Sequence, residues 1–422
     1  MLTLRNRLRR LPAGGSLWLP GFLALAACLG YGQTTNSCLD CHSALPAPYT
    51  VTQEQFSQDI HAQKGLTCTS CHGGDASASD PDQSMSRKAG WKGKIDRKQV
   101  PQLCGSCHSD PAYMRQYDPS LRTDQLAQYH TSMHGKLLAS GDTKVAVCTD
   151  CHSVHNIRPP GDPRSTVYPI NIAKTCSRCH SDAATMKPYG IPTNQYAQYL
   201  TSVHYKDLVV GGDLSAPTCT TCHGDHGAVP PGVDKVQNVC ATCHVFQARM
   251  YEKSLHFQAF QAASLPGCVV CHSNHAIHQP SDAMLGTGPS GVCMSCHARG
   301  DQCDQARAAI LTDLTQLDRD ITNADQALHL AESSGMEVSA ALLNQDQARD
   351  ALIKARVTIH TFQPVLVDAD VQTGMKIADA DLKVGQDAMV ERDHRRIGLG
   401  ISLIAIAMVL AGLWLNIKRI ES

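Results

Sequence analysis

Nine times this chain writes Cys-x-x-Cys-His. The cysteine pairs are Cys38/Cys41, Cys68/Cys71, Cys104/Cys107, Cys148/Cys151, Cys176/Cys179, Cys219/Cys222, Cys240/Cys243, Cys268/Cys271 and Cys293/Cys296. Each is followed directly by a histidine: His42, His72, His108, His152, His180, His223, His244, His272 and His297. Two thiols at this spacing form thioethers to the vinyl groups of one porphyrin, and the adjoining imidazole binds its iron from one face. This is the attachment signature of c-type haem. Zinc and iron–sulfur sites also use paired Cys-x-x-Cys, but neither requires a histidine after the second cysteine. A disulfide framework would leave the same histidines unexplained. The expected cofactor is therefore haem c, nine groups, and the expected chemistry is electron transfer.

The second iron ligand is sought among the remaining histidines. Box 1 stands alone, and the other eight boxes form four two-box repeats. Their heads align as QFSQDIH (55–61), QYHTSMH (128–134), QYLTSVH (198–204) and MYEKSLH (250–256). Each carries an aromatic residue five positions before a histidine and reads as a short helix. Three first boxes extend to Cys-His-x-x-His, adding His155, His226 and His275; in the first repeat Asp75 takes that place. The seven recurrent histidines, His61, His134, His155, His204, His226, His256 and His275, are the expected distal ligands. His130 and His278 do not recur and are the weaker candidates, with a surface or hydrogen-bonding role preferred for both. Haem 1 and one haem of the first repeat thus lack repeat support for a histidine, leaving Met, another ligand or an open site. The polar stretch between the first repeat's two boxes, through Asp80 and Trp91, reads as a surface loop.

Eighteen of the 20 cysteines lie in boxes, leaving Cys28 and Cys303. The net charge of −1 gives no indication of nucleic acid as a partner, and 5% aromatic content is thin for the core of a chain of 422 residues. Porphyrins are expected to supply the missing apolar mass. Residues 1–30 read as an export signal: Arg5, Arg7, Arg9 and Arg10 precede a short apolar run broken by Pro20. Leu25-Ala26-Ala27-Cys28 resembles a lipoprotein box, with Cys28 the lipidated residue; an ordinary signal peptide is the plainer alternative.

After His297 the boxes stop and heptads begin. Ile310, Leu314, Leu317, Ile321, Ala324, Leu328 and Ala331 form one seam. Ala341, Ala348, Leu352, Ala355, Ile359 and Phe362 form a second, ending at Pro364. Val367, Val371, Met375, Ala378, Leu382 and Met389 form a third. The expectation is an antiparallel pair plus a helix leading onward, with Cys303 a buried thiol on the first seam and His329 and His360 on helix surfaces. Ile397–Asn416 is twenty residues without a charge, enough to cross a bilayer of about 30 Å. Lys418 and Arg419 follow it and favour a cytoplasmic C-terminus.

The expected fold is mainly α and loop with little β structure. The organisation read from the chain is a signal at 1–30, a nine-haem part at 31–300, a helical hairpin or stalk at 301–395, a transmembrane helix at 396–417 and a cytoplasmic tail at 418–422. Over residues 31–300 the boxes and spare histidines resemble membrane-bound multihaem c-type cytochromes. That resemblance implies closely stacked haems and electron tunnelling between neighbours. The long helices after the last haem are similar to those of multihaem nitrite and hydroxylamine enzymes. The Cys-x-x-Cys-Lys box found in some of those enzymes does not occur here.

The expected function is a periplasmic electron relay anchored in the inner membrane, a respiratory-chain subunit; an electron-transfer protein is preferred to a stand-alone enzyme, and the enzyme question stays open. Its expected partners are a quinol-oxidising membrane subunit on one side and periplasmic or extracellular redox proteins on the other. The alternative is an oxidoreductase acting on a small nitrogen or sulfur oxyanion at one open haem.

Overall fold

A computed structural model describes residues 36–231 and 236–421; the expected export signal and Cys28 lie outside them. The described residues contain α-helices and short 3-10 turns but no β-strand, in keeping with the mainly helical expectation. The chain divides into two units, one of Met1–Gln53 with Cys68–Gly93, the other of Glu54–Thr67 with Lys94–Ser422.

In the first unit, boxes 1 and 2 lie on the short helices Ser37–His42 and Cys68–His72. The polar stretch expected as a surface loop folds back on box 2: the Lys92 ammonium donates to the Cys71 carbonyl at 2.8 Å, and Trp91 stacks on His72 with ring centroids 5.7 Å apart.

In the second unit each repeat head is a pair of helices hinged at one buried side chain. Gln125–Thr131 and Met133–Ala139 meet at Ser132, Gln195–Thr201 and Val203–Val209 at Ser202, and Val245–Glu252 and Leu255–Ala262 near Ser254. Each serine donates its hydroxyl to the tyrosine carbonyl three residues back, at 2.6–2.7 Å. It also accepts from the backbone N–H three residues on, at 2.9–3.2 Å. This is N-capping, and it fixes the start of the helix that carries the head histidine. Tyr129 and Tyr199 then donate to the carbonyls of Ala146 and Pro217 at 2.9 and 2.8 Å, tying head to first box.

Three long helices follow: Gln302–Ser333, Ser339–Thr358 and Pro364–Glu421. All seven residues of the first seam are buried, as are Ala341, Ala348, Leu352 and Ala355 of the second and Val367, Val371 and Ala378 of the third. The third helix approaches the first so closely that a Cβ on Gly374 would lie 2.9 Å from Leu317 methyls, and one on Gly385 2.8 Å from the Ala327 carbonyl carbon. Two polar residues escape the heptad reading. Gln345 is fully buried and donates to the Ile321 carbonyl at 3.2 Å. Asp381, also buried, accepts from the Asn344 amide at 3.1 Å.

Two stability predictions follow from this bundle. Leu317→Ala opens a cavity at a fully buried position and should cost about 2–5 kcal/mol in denaturant unfolding followed by helical signal. Burial raises the Asp381 pKa above 3.8, only partly offset by the Asn344 hydrogen bond. A raised folded pKa means stability present below the unfolded value and lost as pH rises through the folded one. Asp381→Asn should therefore unfold at higher denaturant than the parent at neutral pH, an advantage that fades below about pH 4.

Candidate haem-ligand pairs

The boxes sit on helices that begin at the first cysteine (Cys68–His72, Cys148–His152, Cys219–His223, Cys268–His272) or end at the histidine (Val100–His108, Pro169–His180). Box 7 follows from helix Val236–Ala241, and box 9 begins in the 3-10 turn Cys293–Ser295. One helical turn brings two thiols and an imidazole to the same edge, the geometry one porphyrin requires.

The head histidines face the second boxes of their own repeats. Ring centroids are 6.0 Å apart for His61–His108, 6.2 Å for His134–His180, 6.3 Å for His204–His244 and 5.9 Å for His256–His297. The first boxes look elsewhere. His152 faces His226 and His223 faces His275, both at 6.0 Å, so in each case the Cys-His-x-x-His histidine comes from the next repeat. Two imidazole nitrogens about 2 Å from a shared metal, plus the half-width of each ring, put centroids about 6 Å apart. The residues present therefore fit haem iron held between paired histidines.

The cross-repeat reach has a backbone cause. Immediately after the first-box histidine the chain turns through Ser153 (φ 66, ψ −172), Gly224 (φ 83, ψ 159) and Ser273 (φ 66, ψ −178). This region is almost reserved for glycine and costs a serine about 1–3 kcal/mol. The reversal carries the histidine three residues on away from its own box. His155, half-buried with φ 62, occupies the same place in its repeat.

Two classes of ring pair result. First-box pairs are nearly coplanar, at 7° and 8°. Three head pairs are crossed, at 89°, 59° and 71°, and the fourth, His204–His244, is only tilted, at 31°.

In part of this set burial favours the neutral imidazole, the form that ligates metal. It pushes His152 down to about 4, reinforced by His226 and His108. It likewise lowers His108, His134, His180, His204, His256, His272 and His275, each with a further push from a neighbouring histidine. Several ring nitrogens are held from behind, as is usual for metal-bound histidine. His61 Nδ1 meets buried Asp59 at 2.9 Å, His42 Nδ1 donates to the Tyr49 carbonyl at 2.9 Å, and His297 Nδ1 lies 3.5 Å from Asp301. Burial opposes the charge of Asp59, yet hydrogen bonds from the His61 ring, His61 N–H and Ile157 N–H hold its carboxyl below the ordinary value.

Neighbouring boxes touch through their thiols. Cys104 hydrogen-bonds Cys148, Cys176 bonds Cys219, and Cys240 bonds Cys268; in the first unit Cys38 bonds Cys68. Between these pairs, burial and the thiols of the following box raise Cys151 (next to Cys176), Cys222 (next to Cys243) and Cys271 (next to Cys293). Boxes 3 to 9 thus succeed one another in space in their sequence order. Cys303, expected on the helical seam, is instead half-buried with its thiol against Cys293 of box 9.

The sequence treats the two cysteines of a box as equals, and the structure corrects this. Every first cysteine is half-buried, whereas the second ones Cys41, Cys71, Cys179, Cys222, Cys243 and Cys296 are exposed. Only Cys107, Cys151 and Cys271 among the second cysteines are half-buried. The first thiol packs toward a neighbouring box, whereas the second, three residues on, stands nearer the outer edge, though the thiols of Cys151, Cys222 and Cys271 still approach the following box. Cys107 and Cys296 meet there the hydroxyls of the serines before them, each at 4.0 Å, and Cys107 also meets the Tyr113 phenol. Cys179 instead lies near enough to Arg97 to help hold that guanidinium charged.

His130 and His278 are exposed. His329 is exposed beside Glu332, whereas His360, expected on a helix surface like it, is half-buried 6.1 Å from His272. Nothing local in the sequence signals His360; only the count of first boxes lacking a following repeat would have pointed to it.

Residues 60–181 match the cytochrome c3 family. Over 120 residues the chain is 26% identical to the C-type polyheme cytochrome OmcC of Geobacter sulfurreducens, an alignment covering 28% of this chain and 14% of that protein. No solved structure gives a significant match.

The ring geometry predicts two families of low-spin ferric signal in electron paramagnetic resonance. Coplanar first-box pairs should give rhombic spectra and crossed head pairs strongly anisotropic ones. A single class would contradict these orientations. Ser202→Ala removes the cap from the helix bearing His204 and should lower stability by about 1 kcal/mol in chemical denaturation, with the His204 signal broadened first.

Proposed function

We infer that this chain, a multihaem c-type cytochrome whose activity is electron transfer, carries nine haems c and relays electrons at a membrane surface. In this reading both thiols of every box are bonded to porphyrin, the outer ones Cys41, Cys107, Cys179 and Cys296 included. The nine box histidines bind iron on one face. On the other face stand His61, His134, His155, His204, His226, His256 and His275, while His130 and His278 are the weaker candidates. The observation that carries the proposal is the set of imidazole pairs near 6 Å on consecutive boxes. An iron saturated by two histidines changes oxidation state without taking up a small molecule, and bound haem supplies that one-electron chemistry. The protein's own part is to fix each ring, keep it neutral and hold successive boxes in contact.

The helix Pro364–Glu421 includes a stretch long and apolar enough to cross a membrane, mean hydropathy 2.3, with none of it buried against the rest of the chain. We place it as a single inner-membrane anchor, with residues 31–300 and the bundle on the periplasmic side and the last residues in the cytoplasm. Export through residues 1–30 fits haem attachment outside the cytoplasm, with or without lipid on Cys28. The partners of this assembly are an integral quinol-oxidising subunit and a periplasmic or extracellular redox protein, which together make the chain a subunit of a respiratory complex.

A pyridine haemochrome assay on the detergent-solubilised full chain should return nine haems per polypeptide. Far fewer, or zinc in their place, overturns the reading. His204→Met should replace one low-spin signal and leave the others, and carbon monoxide uptake by the unmodified protein would point to an open haem and to catalysis.

A further inference from the structure

We propose that His360, on the turn between the second and third long helices, is the distal iron ligand of the haem at Cys268, Cys271 and His272. The helical bundle would then complete the haem array chemically as well as pack against it. The proposal rests on the multihaem reading above.

Three independent observations converge on this residue. The first is distance and angle. His360 and His272 stand 6.1 Å apart at 23°, within the spacing of the other pairs and closer to the coplanar class that serves the other first boxes than to most of the crossed head pairs. The second is register. First boxes in the second and third repeats receive their facing imidazole from the repeat that follows. The fourth repeat has no successor, and His360 fills the vacant place. The third is orientation. Its Nδ1–H donates to the Val357 carbonyl at 2.9 Å, which leaves Nε2 as the free lone pair, the arrangement of a metal-bound histidine.

The turn is also built to hold still. Thr361 donates to the Thr358 carbonyl at 2.8 Å, and Thr358 in turn donates to Asp370 at 2.6 Å. Phe362 sits in the left-handed region at φ 56 and lays its ring 4.0 Å from His256. Arg356 forms a two-pronged ion pair with Asp282, at 3.0 and 2.8 Å, on the segment that follows box 8. Strained backbone that persists where its neighbours fix it so fully is a mark of a functional position. One turn thus addresses both terminal haems, His360 toward box 8 and Phe362 behind the ligand of box 9.

The test uses the haem-loaded full chain in detergent, with haem counted in every variant so that a failure of the nine-haem reading shows first in the parent. His360→Ala should lose one rhombic low-spin equivalent, gain one high-spin ferric haem and take up one carbon monoxide when reduced. His360→Met should keep that haem six-coordinate, add a sulfur-ligand band in the near infrared and raise one midpoint potential. His329→Ala, on the exposed bundle surface, should change nothing. Unchanged low-spin intensity with no carbon monoxide uptake in His360→Ala overturns the proposal. Should that variant fail to accumulate, an unaltered spectrum and titration in His360→Met overturns it equally.

Discussion

Imidazoles standing in pairs about 6 Å apart are the constraint around which the box-bearing part of this chain is arranged, and a metal shared by such a pair would cross-link the segments that carry them. Aromatic side chains are few, and the buried residues outside the bundle are scattered tyrosines, small apolar side chains and capping serines. Such a polypeptide has little apolar surface of its own to drive collapse. Metal sites that join distant segments compensate because their ligand set exists only in the folded chain, so binding free energy becomes folding free energy. The head histidines face the second box of their own repeat, and the first-box pairs join the second repeat to the third and the third to the fourth.

This division of labour explains why two kinds of polar detail recur. Serine caps at 132, 202 and 254 set the pitch of the helix that presents a head histidine. The strained serines at 153 and 273 turn the chain outward after a first box. The first device lies inside a repeat and stabilises it; the second is locally costly and brings a histidine of one repeat opposite the first box of the repeat before. Asp59 replaces the capping serine in the first repeat and bonds the His61 ring as well as its backbone. A carboxylate there would make the imidazole a stronger donor to a metal on its far nitrogen.

Much of this was legible in the sequence, for identifiable reasons. The boxes are local, five residues long, and declare their cofactor directly. That the head histidines share a structural position was legible because repetition separates a recurrent residue from a stray one, and each does face a box histidine. The first heptad seam was legible to the residue, since periodicity records burial along a helix. Pairing was not legible: whether His226 serves its own box or its neighbour's depends on a backbone reversal at Gly224 that no composition announces. Nor was the unequal exposure of box thiols such as Cys38 and Cys41, which depends on where the next box packs. His360 was missed because it stands alone on a helical stretch where a surface position is the ordinary expectation. Cys303 and Gln345 were missed likewise, since their neighbours come from segments brought near only by tertiary folding.

The unbroken third helix carries a consequence of scale. His360 and Pro364 lie at the end of the bundle where boxes 8 and 9 dock, and the uncharged stretch begins at Ile397. The intervening rod is about 50 Å long at 1.5 Å per residue. With the apolar stretch in a bilayer and the rod upright, boxes 8 and 9 would stand off from the lipid by the height of a whole protein domain. A carrier confined to the lipid would not reach that height, and a redox partner serving that end would have to be tall enough to meet it.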